Sequence, residues 1–263
     1  MQNIGDDILT DVDAAGIATV TLNRAHKRNA LTLAMWRRLG DIFDNVGRRE
    51  DVRVVVLTGT GGNFSAGADI SEFAQVRNTV EAGRIYEAAT EAATIAVRDC
   101  PKPTIAAIGG FGVGGGCGLA LACDVRVGDQ TTRMGIPAAR LGIVYGPLDC
   151  DLLLRQVGLA NAKLVLFSGR LFGLDDCLRM RLLDVAGETT ALEFAHALAH
   201  DLAANAPISL KGTKLVLEAL AQRAVEKRAH EIEEVIDEAL TSEDYREAAQ
   251  AFVEKRKPVF RGQ

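Results

Sequence analysis

Thr104-Ile-Ala-Ala-Ile108, followed at once by Gly109-Gly-Phe-Gly-Val-Gly-Gly-Gly-Cys-Gly118, decides the fold. The first five residues have the apolar, β-branched density of a strand buried on both faces. The glycine run then leads into a short helix through Leu119, Ala120 and Leu121. Glycine allows positive φ and close backbone approach, and the first amides of a helix lack intrahelical acceptors and lie at its positive end. A turn of this kind presents N–H groups to negative charge on a ligand. Gly110, Gly112 and Gly115 also satisfy G-x-G-x-x-G with Asp129 downstream, the pattern of a dinucleotide site. Against that use, the run follows a third or later strand and its helix is short. Tight strand-to-helix packing without a ligand and an oxyanion hole are the other two readings.

Outward from the turn, strands and helices alternate. Ile17–Leu22 alternates like a strand, Thr32 caps a helical pattern carrying Leu39, Ile42, Phe43 and Val46, and Val52–Thr58 reads as a second buried strand ending at Gly59-Thr-Gly-Gly62. Asp69 and Glu72 have the D-x-x-E spacing of a helix start. Glu81–Asp99 is the longest clear helix of the first half, its spacing placing Ile85, Ala88, Ala92, Ile95 and Ala96 on one face, and Pro101 and Pro103 end it. This order predicts an α/β protein with parallel strand pairing. From about residue 185 the pattern is helical: Leu192, Ala195, Leu198 and Leu202 share one segment, then come Leu210–Leu240 and Thr241–Arg256. This tail is expected to pack on the α/β body or on a neighbouring subunit.

The 263 residues suffice for a sizeable core, and 48% apolar with 25% charged residues is ordinary for a globular chain. A net charge of −5 with scattered Lys and Arg argues against nucleic acid as a partner. Met1–Thr10, with Asp6 and Asp7, lacks the basic start and apolar run of a secretory signal, and no stretch reaches the ~20 apolar residues of a membrane span. A cytoplasmic protein without a membrane partner is expected. The five cysteines, Cys100, Cys117, Cys123, Cys150 and Cys177, have no C-x-x-C spacing and read as reduced, buried thiols.

Several separated motifs in order resemble the crotonase (enoyl-CoA hydratase/isomerase) family. They are Asn29-Ala-Leu31, Asn63-Phe-Ser-Ala-Gly-Ala-Asp-Ile70, Lys102 through Gly118, Cys123-Asp124, Gly135-Ile-Pro137, Leu141-Gly142 and Ala251-Phe-Val-Glu-Lys-Arg256. The resemblance implies a spiral of β-β-α units over residues 1–185 holding an acyl-CoA site, and a C-terminal helical trimerisation region over 186–263. It also implies a homotrimer or a dimer of trimers. No cofactor is expected beyond coenzyme A as part of the substrate, and no metal. By resemblance, the backbone N–H groups of Ala68 and Gly115 bind the thioester oxygen, with Ala66, Asp69 and Ile70 in the same CoA-binding segment. Lys27, Arg28 and Lys255 resemble positions near the CoA phosphates, Lys255 reaching from an adjacent subunit. Asp69 also reads as a helix N-cap and Asp124 as a strand-boundary residue.

Hydratases of the family use two glutamates on one water, and the matching positions here are Gly118 and Ala138, neither of which carries a proton. Ordinary hydration is therefore not expected. The loop Arg140–Asp149 offers other groups. Tyr145 falls close to a tyrosine of family decarboxylases, although the histidine that accompanies it is replaced by Ala68. Asp149 and Asp151 are candidate bases or nucleophiles, or helix N-terminal charges, and Arg140 is a candidate partner for a substrate carboxylate or for a salt bridge. His196 and His200 have i, i+4 spacing but lack the glutamate of a zinc motif. The expected protein is an acyl-CoA enzyme that stabilises a thioester enolate, with isomerase, decarboxylase or thioesterase chemistry through Tyr145 or Asp149. A non-catalytic acyl-CoA-binding subunit is the alternative of another class. Residues lining an acyl pocket are expected in Phe73–Asp99 and in the helical tail.

Overall fold

Residues 7–263 are described by a computed structural model. The residues before Asp7, part of the segment read for a secretory signal, lie outside them. Six strands form the main sheet: β1 (Ile8–Val12), β2 (Ile17–Leu22), β3 (Val54–Gly59), β4 (Thr104–Ile108), β6 (Val125–Gly128) and β8 (Val185–Ala186), in that spatial order. All neighbours pair in parallel except β1, which returns antiparallel on β2 at the edge. A second, two-stranded parallel sheet pairs β5 (Phe111–Val113) with β7 (Arg133–Gly135).

The helices are α1 (Leu33–Arg48), the single turn α2 (Phe73–Val76), α3 (Val80–Arg98), α4 (Gly115–Ala122), α5 (Pro147–Ser168), α6 (Leu174–Met180), α7 (Ala191–Ala203), α8 (Pro207–Ala221), α9 (Ala229–Thr241) and α10 (Glu243–Glu254). Successive side chains of a strand point to opposite faces, so β3 and β4 divide their residues between two cores. Val55, Leu57, Ala106 and Ile108 join the larger core with Leu39, Phe43 and Leu119. Val54, Val56, Ile105 and Ala107 join the smaller, where Ala191, Ala195, Ala199 and Ala203 lay one small-residue stripe of α7 on the sheet. The fully buried Val54–Thr58 run is what a parallel strand covered on both faces requires.

Five expectations are corrected. The buried face of α3 is Tyr86, Ala93, Thr94 and Val97, whereas Ile85, Ala88, Ala92 and Ile95 face outward. Both stripes satisfy helical spacing, and the close packing of α3 on α1 and α4 selects the first. The glycine run does not pass straight from strand to helix, because β5 intervenes and pairs with β7. Leu210–Leu240 is two helices, broken between Ala221 and Ala229. Glu72 does not close a capping box: it accepts the Leu33 N–H at 2.6 Å, while Asp69 caps the following turn through the Ser71 N–H at 3.1 Å. The helix expected from Asp149 starts at Pro147 and continues to Ser168 past a non-helical Gly158. Thr32 caps α1 as expected, accepting the Met35 N–H at 3.2 Å.

Candidate active site

Asn29, held at φ 56, ties together the loops that border the site. Its Nδ2 donates to Thr60 O (2.9 Å) and Asn63 O (2.6 Å), and its Oδ1 accepts from Arg24 N (2.9 Å). The loop after β3 is thereby laid along β5, with Ser65 N donating to Phe111 O at 2.7 Å and Val113 N to Ser65 O at 2.9 Å. Leu31 N donates to Gly67 O (2.7 Å) and Asp69 N to Leu31 O (2.8 Å). The Ala68 amide between them has no acceptor among the described residues.

Two glycines make this junction possible. Gly67 has φ +85, and a Cβ there would lie 2.6 Å from Val113 O and 2.8 Å from Gly115 N. A Cβ on Gly116 would lie 2.5 Å from Ser65 O. The start of α4 is thus pressed onto the loop, and its first amides, without intrahelical acceptors, open beside that of Ala68. Behind the loop, the Arg24 guanidinium pairs with Asp69 at 3.1 Å, both side chains under a tenth exposed, and donates to Ala30 O at 2.6 Å. Burial opposes ionisation of Asp69, but hydrogen bonds from Ser71 and Arg24 outweigh it and hold the carboxyl below its ordinary range.

A cavity of about 290 Å³ opens on these amides. Ala66, Ala68, Ile70, Gly115, Ala138, Tyr145 and Asp149 border it, as do Trp36 and a wall of α3. Asp69 is buried, and it, Lys27, Arg28 and Lys255 are all outside the cavity lining. The Arg28 guanidinium stacks 4.9 Å over Phe111, and its carbonyl accepts the Ala66 N–H at 2.9 Å, so that Arg28 adjoins the cavity rim. Lys255 is at the C-terminus of α10. Arg140 packs against Gly169, and Asp151 pairs with Arg155 one helical turn on; neither faces the cavity. Nε2 of His196 lies 3.4 Å from Thr19 Oγ1 on β2. Four of the cysteines are buried and Cys150 is half-buried, its Sγ 3.6 Å from Tyr145 O.

Asp149 holds the site's one strongly displaced carboxyl among the described residues. Burial, aided by the charge of Glu91 on α3, pushes it up to about 6. A Cβ on Gly118 would meet a single neighbour, Asp149 Oδ1, at 3.4 Å. Unlike Gly116, Gly118 is therefore not demanded by packing, and the space in front of it is where the Asp149 carboxylate points. The Tyr145 hydroxyl, 3.7 Å from the Cβ position of Gly114, is pushed well above its ordinary value by burial and stays protonated. Two backbone donors, one carboxyl near neutrality and a neutral phenol converge on one largely apolar cavity. Such a constellation can hold an oxyanion and move a proton.

The stretch Phe73–Asp99 lines the cavity as expected, through Arg77, Tyr86 and Glu91 among others, whereas the helical tail contributes none of its lining, and sequence reasoning missed Trp36. Trp36, the single tryptophan of a chain with 5% aromatic residues, was the one available signal.

The β-β-α order of β4, β5 and α4, repeated in β6, β7 and α5, around a cavity that opens on free amides is the arrangement expected of the crotonase fold. The enoyl-CoA hydratase/isomerase family profile matches residues 13–263, and the chain belongs to that family. It is 33% identical over 243 residues to the short-chain-enoyl-CoA hydratase of Clostridium acetobutylicum, covering 92% of each chain. To the 2,3-dehydroadipyl-CoA hydratase of Escherichia coli it is 31% identical, over 94% of this chain and 95% of that one. The crystal structure of an enoyl-CoA hydratase from Bacillus anthracis superposes with TM-score 0.90 at 29% identity, covering 98% of this chain and 100% of the other. No helix among the described residues is long and apolar enough to cross a membrane.

Proposed function

We propose that this acyl-CoA enzyme shifts double bonds in enoyl thioesters, with Asp149 as its proton carrier and the amides of Ala68 and Gly115 as its oxyanion hole. The observation that carries the reading is the approach of Asp149 Oδ1 to the side-chain space of Gly118, where a family hydratase would place a glutamate. In a 3-enoyl thioester the Asp149 carboxylate takes a C2 proton. The C2–H electron pair becomes a C1–C2 double bond as the carbonyl pair moves onto oxygen, giving a dienolate that keeps its C3–C4 double bond and whose oxygen charge the two amides receive. The Asp149 carboxylic acid then returns the proton to C4, the carbonyl re-forms and the double bond moves to C2–C3, leaving a 2-enoyl thioester. One group suffices for both transfers, whereas adding water needs a partner to activate it, and neither Gly118 nor Ala138 has a proton-carrying side chain.

A carboxyl titrating near neutrality serves as base and acid with little bias to either. Tyr145 supplies a neutral donor at the same end. Lys27 and Arg28 are assigned to the CoA phosphates, in keeping with the place of Arg28 beside the Ala66 rim, and Lys255 to the phosphates of a CoA bound by a neighbouring subunit. Exposed Ile236, Leu240, Phe252 and Val253 on α9 and α10 support a homotrimer or dimer of trimers.

The purified protein, given 3-hexenoyl-CoA, crotonyl-CoA and malonyl-CoA, should form 2-hexenoyl-CoA and leave the other two essentially unreacted. Hydration of crotonyl-CoA at a rate typical of family hydratases refutes the reading. The missing side chains at 118 and 138 favour one other reading, a non-catalytic acyl-CoA-binding subunit; binding of all three thioesters without turnover would establish it.

The pH profile follows from Asp149. The base must be ionised, so kcat/KM should fall as pH drops through about 6 and level off above it. Burial accounts for most of the displacement and the Glu91 charge adds to it. Glu91→Gln removes a negative neighbour, eases ionisation and should move the inflection to lower pH. An inflection unmoved by that substitution would contradict the coupling.

A further inference from the structure

Away from the glycine turn, the cavity wall is an aromatic relay. The far edge of the Trp36 indole touches the turn: a Cβ on Gly115 would lie 3.0 and 3.1 Å from its Cζ2 and Cη2. Trp36 Nε1 donates to Tyr86 Oη at 3.1 Å. Phe73 meets the Tyr86 ring edge-on, with centroids 5.5 Å apart, and the Arg77 guanidinium covers both rings at 5.0 and 5.2 Å while pairing with Glu87 at 2.9 Å. All of these residues border the cavity. Tyr86 stands one indole and one hydrogen bond from the proposed oxyanion hole.

A phenol both donates and accepts. The Tyr86 oxygen accepts from Trp36, and no acceptor for its own proton is present among the described residues, although the residue is only 1% exposed. Desolvation keeps the hydroxyl protonated up to about 12. A buried donor without a partner is costly, and phenylalanine would line an alkyl pocket without that cost. We propose that the O–H of Tyr86, whose ring lies under Arg77, forms a subsite for a neutral oxygen acceptor, an oxo or hydroxyl group, on the acyl chain away from the thioester. The acyl group is then oxygen-bearing and not a plain alkyl chain. A terminal carboxylate fits less well: Glu87 and Glu91 border the same cavity, and Arg77 already has a carboxylate partner. This inference rests on the reading that the cavity holds an acyl-CoA.

Trp36 is the only tryptophan, so its fluorescence reports occupancy of the cavity. The full-length protein and its Tyr86→Phe variant are titrated with hexanoyl-CoA, 5-hydroxyhexanoyl-CoA, 5-oxohexanoyl-CoA and adipyl-CoA, with calorimetry in parallel. The wild-type protein should bind the hydroxy or oxo ester about tenfold more tightly than hexanoyl-CoA, the worth of one well-made hydrogen bond. In Tyr86→Phe that ratio should fall to about one. Equal wild-type affinities, a ratio that survives Tyr86→Phe, or adipyl-CoA binding more tightly than both neutral esters overturns the subsite. Binding of hexanoyl-CoA without an oxygen preference removes the subsite alone. Failure of all four esters to bind removes the acyl-CoA reading with it.

Discussion

Replacing Asp149 with asparagine should lower the isomerisation rate by about 10²–10⁴-fold, the usual worth of a general acid or base. Asparagine keeps the shape beside Gly118 and removes only the proton traffic, so the loss should fall in kcat more than in KM. Stability should move the other way. The folded-state carboxyl is raised from an ordinary 3.8 to about 6, so ionising it inside the cavity works against the fold. That penalty is absent below about pH 4, grows as pH rises through about 6, and is full at pH 7. Asp149→Asn should therefore melt higher than wild type at pH 7, with the gap closing in acid. A variant that is both slower and less stable at pH 7 would mark Asp149 as structural instead.

The second large effect concerns the support behind the Ala68 loop. Arg24→Ala strips the buried Asp69 carboxylate of its partner and Ala30 O of its donor. Breaking a buried pair in this way typically costs about 3–5 kcal/mol. Urea unfolding should show the loss at neutral pH. The sign with pH is fixed by Asp69, whose carboxyl is held below its ordinary value: its contribution is present above the unfolded-state value and fades as pH falls through the folded one. The deficit of Arg24→Ala should accordingly shrink in acid. Because Asp69 N also pairs with Leu31 O, thioester turnover should fall together with stability.

Much of the scaffold was legible because local chemistry and tertiary demand agree. The run 17–22 alternates and the run 104–108 is apolar throughout, each fitting a strand, and Thr32 and Asp69 cap turns because their side chains reach the next free amides. Legibility failed where two local solutions were equivalent. On α3, Ile85-Ala88-Ala92-Ile95 and Tyr86-Ala93-Val97 both have helical spacing, and only the neighbouring helices distinguish them. β5 is invisible in a glycine run because its three residues become a strand only through β7. The site divides similarly. Ala68 and Gly115 sit in motifs that announce exposed amides, and Asp149 stood out as a carboxyl at a helix start. Its approach to Gly118, and the bond between Trp36 and Tyr86 across 50 residues, arise from packing that no local pattern encodes.

In the proposed reaction one carboxyl, at the start of α5 instead of on α4, carries protons to and from a stabilised thioester enolate. Deuterium wash-in at C2 of butyryl-CoA, followed by NMR in D2O, tests it most directly, since enolate formation is observed without hydration or a mobile double bond. Wild-type protein should exchange the C2 protons, and Asp149→Asn should do so at least about 100-fold more slowly. Exchange at equal rates in the two proteins would contradict the account.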